Sequence, residues 1–283
     1  MFLRFNRSIF TVLMIAAGAV SVFSQVVNTA PPKNEQPKPT AKPVPTPDKK
    51  DVAAARANIT ADTVVETALL FAYAYPGGRK TLDQIRKTTL EHGKATFTAP
   101  DGKVEQATYQ RFIIRGDTLD KEKIRLDQDF PSARYSLVFS DEKIYGIFNN
   151  SVFTPREDAS KSFENQIVHG IDALLRFKED ESKLVLADHK KVDGVDFYII
   201  DLTDKKDRKT TYYVSAKSFR IMMLTYEDGG VKYKRKFYDY NIAQGTLVPY
   251  RTVLWAGEKI VEETNVGTVT FGQKVDDELF KAS

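Results

Sequence analysis

The side chains that most often carry chemistry are sparse in this chain. No two of its three histidines, His92, His169 and His189, have the spacing that would bring both to one metal ion. His169 falls off the apolar stripe of a predicted helix, so we expect it to be exposed. Asp127 and Asp129 share one face of a predicted strand, as catalytic carboxylates could, but solvation at a strand edge explains them as well. The pattern predicts neither a catalytic site nor a metal site.

Sequence motifs of the common enzyme classes are also missing. The 283 residues contain no GxSxG nucleophile elbow, no HExxH zinc motif, no P-loop and no GxGxxG dinucleotide loop. Because there is no cysteine, a disulfide framework, a thiolate metal site, a catalytic cysteine and an acylated-cysteine anchor are excluded. We therefore predict a protein that is not an enzyme and uses no cofactor.

The beginning of the chain is typical of an exported protein. Arg4 and Arg7 precede an apolar run that is too short to be a membrane span, and small residues follow it. We predict a secretory signal peptide over residues 1–24, cleaved near Ser24/Gln25. An uncleaved signal anchor is the alternative. After cleavage we expect the mature protein to be exported, soluble and unanchored.

Composition divides the rest of the chain into two parts. Residues 25–52 contain seven of the twelve prolines and several lysines, and we predict a disordered tether there. Residues 53–283 are long enough for one domain built on a large sheet. They carry 35 basic and 35 acidic residues. Such a neutral domain argues against nucleic-acid binding.

Periodicity predicts a mainly β domain with two helices. The first helix is predicted over Ala61–Tyr75, and the second begins with Thr154 as N-cap, Pro155 in the first turn and Glu157 closing a capping box. Twelve other runs have strand-like composition with turn residues between them. The predicted fold class is mainly β with helices (α+β): a large curved antiparallel sheet, or unclosed half-barrel, of about 11–12 strands covered by two or three helices.

The β-turn residues also predict strand register. A two-residue loop at Asp228-Gly229 would pair Tyr226 with Val231 and Leu224 with Tyr233. Aromatic and aliphatic residues then share one face of this hairpin, while the other face carries lysines whose stems cover apolar neighbours.

A second hairpin is predicted at Asp141-Glu142. Its register would pair Phe139 with Ile144 and place the larger apolar groups on one face. A long meander with one apolar face must curl over something, whether helices, a second sheet or a ligand.

Several short stretches resemble the outer-membrane lipoprotein carrier (LolA-like) superfamily. They are "KIRL" at Lys123–Leu126, "LVFSDEKIYGIF" at Leu137–Phe148, "GTLVPYR" at Gly245–Arg251, "VDDELF" at Val275–Phe280, and "PGGRKTLDQI" after the first helix. Within the hairpin stretch, Glu142 stands where the family has glycine. The resemblance implies an unclosed half-barrel, covered by helices, that takes up acyl chains without chemistry.

The resemblance and the predicted faces together define a candidate acyl cavity. Its residues come from both hairpins and from the second helix, which we expect to act as a lid that moves aside for cargo. The expected lining residues are Tyr135, Leu137, Phe139, Ile144, Phe148, Phe163, Ile167, Ile171, Leu174, Met222, Leu224, Tyr226, Tyr233 and Phe237.

The function implied by the resemblance is that of a periplasmic carrier or chaperone, which binds the acyl chains of lipids or lipoproteins for transfer towards the outer membrane. Its partners would be the lipid or lipoprotein acyl chains and either an inner-membrane transporter or an outer-membrane acceptor, and the protein would be a monomer. The alternative is a non-catalytic interaction or sensor module of the same fold in envelope regulation.

Overall fold

One open antiparallel sheet forms the framework of the chain. The computed structural model describes residues 57–69, 85 and 87–281, so the predicted signal peptide and tether lie outside the described residues. Within this described part, thirteen strands pair in the order β6-β5-β4-β3-β2-β1-β13-β12-β11-β10-β9-β8-β7. The strands are β1 Thr88–Thr98, β2 Val104–Ile114, β3 Lys123–Asp129, β4 Arg134–Ser140, β5 Lys143–Phe148, β6 Ser151–Phe153, β7 Lys183–Val192, β8 Val195–Thr203, β9 Lys209–Ser215, β10 Ile221–Asp228, β11 Val231–Ala243, β12 Thr246–Ala256 and β13 Lys259–Phe271.

Two α-helices and three short 3-10 helices accompany the sheet in the described residues. The α-helices are α1 Ala61–Ala68 and α2 Glu157–Val168, and the 3-10 helices are Leu119–Lys121, Ile171–Leu175 and Asp277–Phe280. This confirms the predicted α+β class with a curved, unclosed sheet. The strand missing from the prediction is β6, which has three residues and therefore shows too little alternation to be recognised. No helix in the described ranges is both long and apolar enough to span a membrane.

The order of the strands forces the chain to cross the sheet once. Strands β1 to β6 form one meander and β7 to β13 another, and the two join where β1 pairs with β13. Because β6 and β7 are the opposite edges, the segment between them, which carries α2 and the 3-10 helix Ile171–Leu175, must pass over one face. We call this the inner face and the other the outer face.

The crossing helix begins later than the sequence predicts. Arg156 is the N-cap of α2, and its side chain makes no capping hydrogen bond, so the capping box predicted at Thr154 is wrong. Pro155 therefore lies before the helix rather than in its first turn. The acidic residues Glu157 and Asp158 fill that turn instead, where they interact favourably with the helix dipole.

The first helix is stabilised at its start by a reciprocal cap. The Thr60 hydroxyl accepts a hydrogen bond from the Thr63 backbone N–H (3.2 Å), and the Thr63 hydroxyl accepts one from the Thr60 N–H (2.8 Å). Val64, Val65 and Ala68 on this helix are fully buried. The prediction of a helix is therefore confirmed over Ala61–Ala68, whereas residues 70–75 lie outside the described part of the chain.

Among the described residues, the inner face carries two separate apolar clusters. The larger core lies under α1 and the 3-10 helix Ile171–Leu175, and the sheet contributes to it from β8 to β13. The smaller core joins β1 to β4 with two residues of α2, Phe163 and Ile167. The segment that crosses the sheet therefore contributes side chains to both clusters. Each buried Leu, Ile or Phe of this kind stabilises the fold by about 1.5–3 kcal/mol.

The predicted register of the β10–β11 hairpin is wrong. The two loop residues are Gly229 and Gly230, both with positive φ (56° and 76°), and Tyr226 pairs with Tyr233 rather than with Val231. Both glycines adopt the left-handed backbone that a tight hairpin turn requires. The slip is two residues, so the alternation survives: Leu224, Tyr226 and Tyr233 still face inward.

A bulge changes the end of the same strand. The pairing of β10 with β9 shifts register between Ile221 and Met223. Ile221 is consequently fully buried in the larger core, where the prediction had placed Met222. Met222 belongs to neither apolar cluster. A bulge inserts one extra residue and so reverses the faces beyond it.

The hairpin predicted at Asp141-Glu142 is confirmed. Phe139 pairs with Ile144 and Ser140 with Lys143. Asp141 and Glu142 have φ values of 51° and 55°, so the turn has positive φ at both central positions even though neither residue is glycine.

The C-terminal 3-10 helix packs against the outer face of β3 to β5. Arg125 donates a hydrogen bond from Nη1 to the Leu279 carbonyl (2.9 Å), and the Tyr145 hydroxyl donates one to the Phe280 carbonyl. Phe280 itself is buried. Three stretches that carry the family resemblance, "KIRL", the β4–β5 hairpin and "VDDELF", therefore meet at one contact, which holds the end of the chain onto the sheet.

His169 is buried, so the expectation that it is exposed is wrong. It is the C-cap of α2, its Nδ1 lies 2.7 Å from the Thr210 hydroxyl, and its ring stacks on Tyr226 with centroids 4.1 Å apart. Burial, together with the positive charge of Arg208, lowers the pKa of His169 to about 4. The sequence could not show that His169 is buried, because its partners Thr210 and Tyr226 are far from it in sequence, on β9 and β10.

The turn chemistry of the β10–β11 hairpin gives a first prediction. Gly230→Val places a β-branched side chain in the left-handed region and should lower the free energy of unfolding by about 1–2 kcal/mol. Gly229→Asn is the matched control, since asparagine tolerates that conformation, and should change stability by less than about 0.5 kcal/mol. Urea denaturation of the two variants measures both effects; equal costs would contradict the observed register.

The buried histidine gives a second prediction. Its folded-state pKa of about 4 lies below the unfolded value of about 6.5, so its neutral form is favoured by folding. Stability is therefore complete above the unfolded pKa and falls as the pH drops towards the folded pKa. Lowering the pH from 7 to 5 should therefore reduce the free energy of unfolding of wild type by about 2 kcal/mol more than that of His169→Gln.

Urea denaturation at the two pH values measures this difference in pH dependence. The control is His92→Gln, because His92 is an exposed histidine on β1. An equal pH dependence in wild type and His169→Gln would contradict the burial of His169.

Candidate functional site

An apolar groove of about 590 Å³ lies where α2 begins, beside the edge of the sheet formed by β4 to β6. Its volume is in the range of small-molecule sites, which are typically lined by apolar side chains with a few polar groups. The described residues that line it are Tyr135, Leu137, Phe148, Ser151, Phe153, Pro155, Arg156 and Ala159. All the strand residues among them point to the inner face, as the register of β4, β5 and β6 requires.

Aromatic rings form one wall of this groove. Tyr135 meets Phe153 edge to face at 6.5 Å, and on its other side it stacks on Phe130 at 5.8 Å. Such pairs add to the stabilisation that burial of area provides. Phe148 is 48% exposed, an unusually open position for a phenylalanine in a strand. The wall therefore presents apolar surface that the rest of the described fold leaves uncovered.

Phe153 can occupy its place because its neighbour across the ladder is a glycine. Gly146 pairs with Phe153, and a Cβ added to Gly146 would come within 2.2 Å of the phenyl ring. Any side chain at position 146 would have to displace the ring, so this glycine sets the shape of the groove wall.

The mouth of the groove carries a charged pair. Arg156 is the one charged residue among the described groove-lining residues, and it makes hydrogen bonds from Nε and Nη2 to the two carboxylate oxygens of Asp158. The hydrogen bonds from Arg156 hold the pKa of Asp158 below its usual range. Asp158 also accepts a bond from the Ala159 backbone N–H at 2.8 Å. Both side chains are largely exposed.

Of the fourteen side chains expected to line an acyl cavity, three line this groove: Tyr135, Leu137 and Phe148. Most of the others pack into the two cores. Phe139, Ile144, Phe163 and Ile167 belong to the smaller core or pack on it, and Ile171, Leu174, Leu224, Tyr226, Tyr233 and Phe237 belong to the larger core or pack on it. Met222 lies outside both, as described above.

A polar network separates the two cores beneath α2. Gln166 accepts a hydrogen bond from Arg111 (2.8 Å) and donates one to Glu262 (3.2 Å). Arg111 also lies 3.8 Å from Glu91, and Arg235 lies 3.5 Å from Glu262. Two arginines and two glutamates thus balance in charge, which lowers the cost of withdrawing them partly from water. The small cavity here, about 140 Å³, is lined by these charges as well as by apolar groups.

Tyr109 extends this network towards the smaller core. Its hydroxyl donates to a carboxylate oxygen of Glu91 at 2.7 Å. Burial raises the pKa of the Tyr109 hydroxyl, so it stays protonated and remains a donor. The space under α2 is therefore held by hydrogen bonds at its centre, and the open apolar surface lies at the start of the helix instead.

A second charged cluster holds the end of the crossing segment, at the 3-10 helix Ile171–Leu175, in place. Glu122 is 1% exposed and lies between Arg115 (3.0 Å) and Arg176 (2.8 Å). Arg115 also contacts Asp172, and Arg176 contacts Asp180, each at 3.0 Å. These pairs tie the 3-10 helix Ile171–Leu175 to the loop before β3. Losing one member of such a buried cluster leaves an uncompensated charge.

Sequence reasoning missed the groove residues that follow β5. Ser151 and Phe153 belong to the short strand β6, and Pro155, Arg156 and Ala159 surround the start of α2. The available signal was Gly146, since a glycine inside a strand often marks the close approach of another group. The sequence alone did not show that the approaching group is Phe153.

Comparison with known proteins identifies the fold. No family model matches the chain, and no curated protein matches its sequence. Among solved structures, a LolA superfamily protein from Nitrosomonas europaea matches with a TM-score of 0.57 and 15% identity, over 79% of this chain and 98% of that one. A DUF1329 family protein from Desulfovibrio piger matches with a TM-score of 0.53 and 16% identity, over 78% and 97%. The chain has the LolA-like fold that its sequence motifs resemble.

Proposed function

We propose that this protein is a non-catalytic carrier that binds acyl chains of lipids or lipoproteins, and that the groove at the start of α2 receives them. The observation that supports this most is the groove itself: about 590 Å³ of space with tyrosine, leucine and phenylalanine walls and, among the described lining residues, one charged side chain. Apolar surface removed from water stabilises a complex by about 25 cal/mol per Å². An acyl chain is the kind of ligand that such a lining favours.

The fold supports the same proposal. The chain shares its fold with a LolA superfamily protein, and the N-terminal sequence pattern is typical of secretion. We accordingly propose the periplasm as its location and transfer towards the outer membrane as its role. An inner-membrane transporter or an outer-membrane acceptor would then be its protein partner.

Binding need not displace the whole of α2. Phe163 and Ile167 are buried in the smaller core, and Gln166 is bonded to charged residues on the sheet. Opening the helix along its full length would break both kinds of contact. The groove already lies beside the first turn, at Ala159, so an acyl chain can enter there without that cost.

The test is a charge placed in the groove. Phe148→Asp should weaken binding of a fluorescent fatty acid by about tenfold or more, because the new carboxylate must be desolvated against the chain. Since Phe148 is 48% exposed, the variant should remain folded. The matched control is Val185→Asp on the opposite edge strand, at a position that is 42% exposed, and its affinity should equal that of wild type.

Fluorescence titration of the three proteins measures the affinities, and circular dichroism checks that each is folded. If folded Phe148→Asp bound the fatty acid as tightly as wild type does, the acyl chain would not bind in this groove. If wild-type protein bound no acyl probe, the carrier function would be refuted and an interaction module of the same fold would be favoured.

A further inference from the structure

We propose that Arg156 makes this groove selective for a negatively charged single-chain lipid, a fatty acid whose carboxylate binds the guanidinium while its chain lies in the groove. This inference rests on the proposed acyl-binding function and adds the chemical class of the ligand. It also names one residue as the determinant of that class.

The position of Arg156 is the first support. It lines the groove at the N-cap of α2, where the apolar wall gives way to solvent. An acyl chain seated in the groove would therefore place its polar head beside the only charge that the described lining provides. Opposite charge at that point favours a carboxylate over a neutral head.

The pair with Asp158 is the second support. Arg156 already holds a carboxylate in the two-pronged geometry that guanidinium groups prefer, with Nε bonded to one oxygen and Nη2 to the other. The Asp158 carboxylate thus shows the geometry in which this guanidinium can hold the carboxylate of a ligand. The guanidinium is oriented for a carboxylate before any ligand arrives.

Exchange between the two carboxylates is feasible. The Arg156 and Asp158 side chains are 74% and 66% exposed, and an ion pair so exposed contributes little to stability. After release, Asp158 keeps its hydrogen bond from the Ala159 N–H. The exchange replaces one exposed ion pair with another, and the apolar surface that the acyl chain buries in the groove offsets the release of Asp158.

The experiment compares two ligands that differ only in the head group. Calorimetric titration with dodecanoate and with dodecanol should show dodecanoate binding to wild type about threefold more tightly. Arg156→Gln should abolish the preference, so that dodecanoate and dodecanol bind this variant with equal affinity. Asp158→Asn should tighten dodecanoate binding, because the competing carboxylate is gone, with no effect on dodecanol.

Arg134→Gln is the control variant, since Arg134 is an exposed arginine on β4 that does not line the groove. Both of its affinities should match those of wild type. Equal affinity of wild type for the two ligands, or an equal loss of both in Arg156→Gln, would overturn the selectivity while leaving acyl binding intact. If neither ligand bound to wild type, the proposed function would fail, and this inference with it.

Discussion

The passage of the chain from one edge of the open sheet to the other constrains the rest of this structure. The crossing segment has to bury its inward side, yet it carries Gln166, His169, Asp172 and Arg176 as well as apolar residues. Each buried polar group therefore needs a partner on the sheet or on a loop beside it. Gln166 forms hydrogen bonds with Arg111 and Glu262, and Arg176 forms one with Glu122. These contacts fix the path of α2, and with it the separation of the two cores and the position of the groove.

Much of the fold could be predicted from the sequence because strand alternation and turn residues are local signals. The Asp141-Glu142 hairpin shows this, since its register follows from the turn alone. The β10–β11 hairpin shows the limit. Asp228-Gly229 and Gly229-Gly230 are equally good two-residue turns, and a slip of two residues keeps every side chain on its face. Periodicity cannot distinguish the two registers.

The candidate site was harder to predict because its features depend on distant pairings. Alternation correctly placed Tyr135, Leu137 and Phe148 on one face. It could not show that polar residues would fill the space under α2, where Arg111 and Glu262 come from strands far apart in sequence. Nor could it show Arg156 at the mouth of the groove, because a strand of three residues, β6, sets the start of the helix.

The pairing of β1 with β13 has a consequence for how the molecule is made. The first strand of the sheet pairs with the last one. Because the two strands are far apart in sequence, this central ladder has a high contact order and should form late in folding. Until the second meander has folded, β1 offers an unpaired edge to any other chain nearby. Newly made chains of this protein should therefore depend on holding chaperones until β13 has paired with β1.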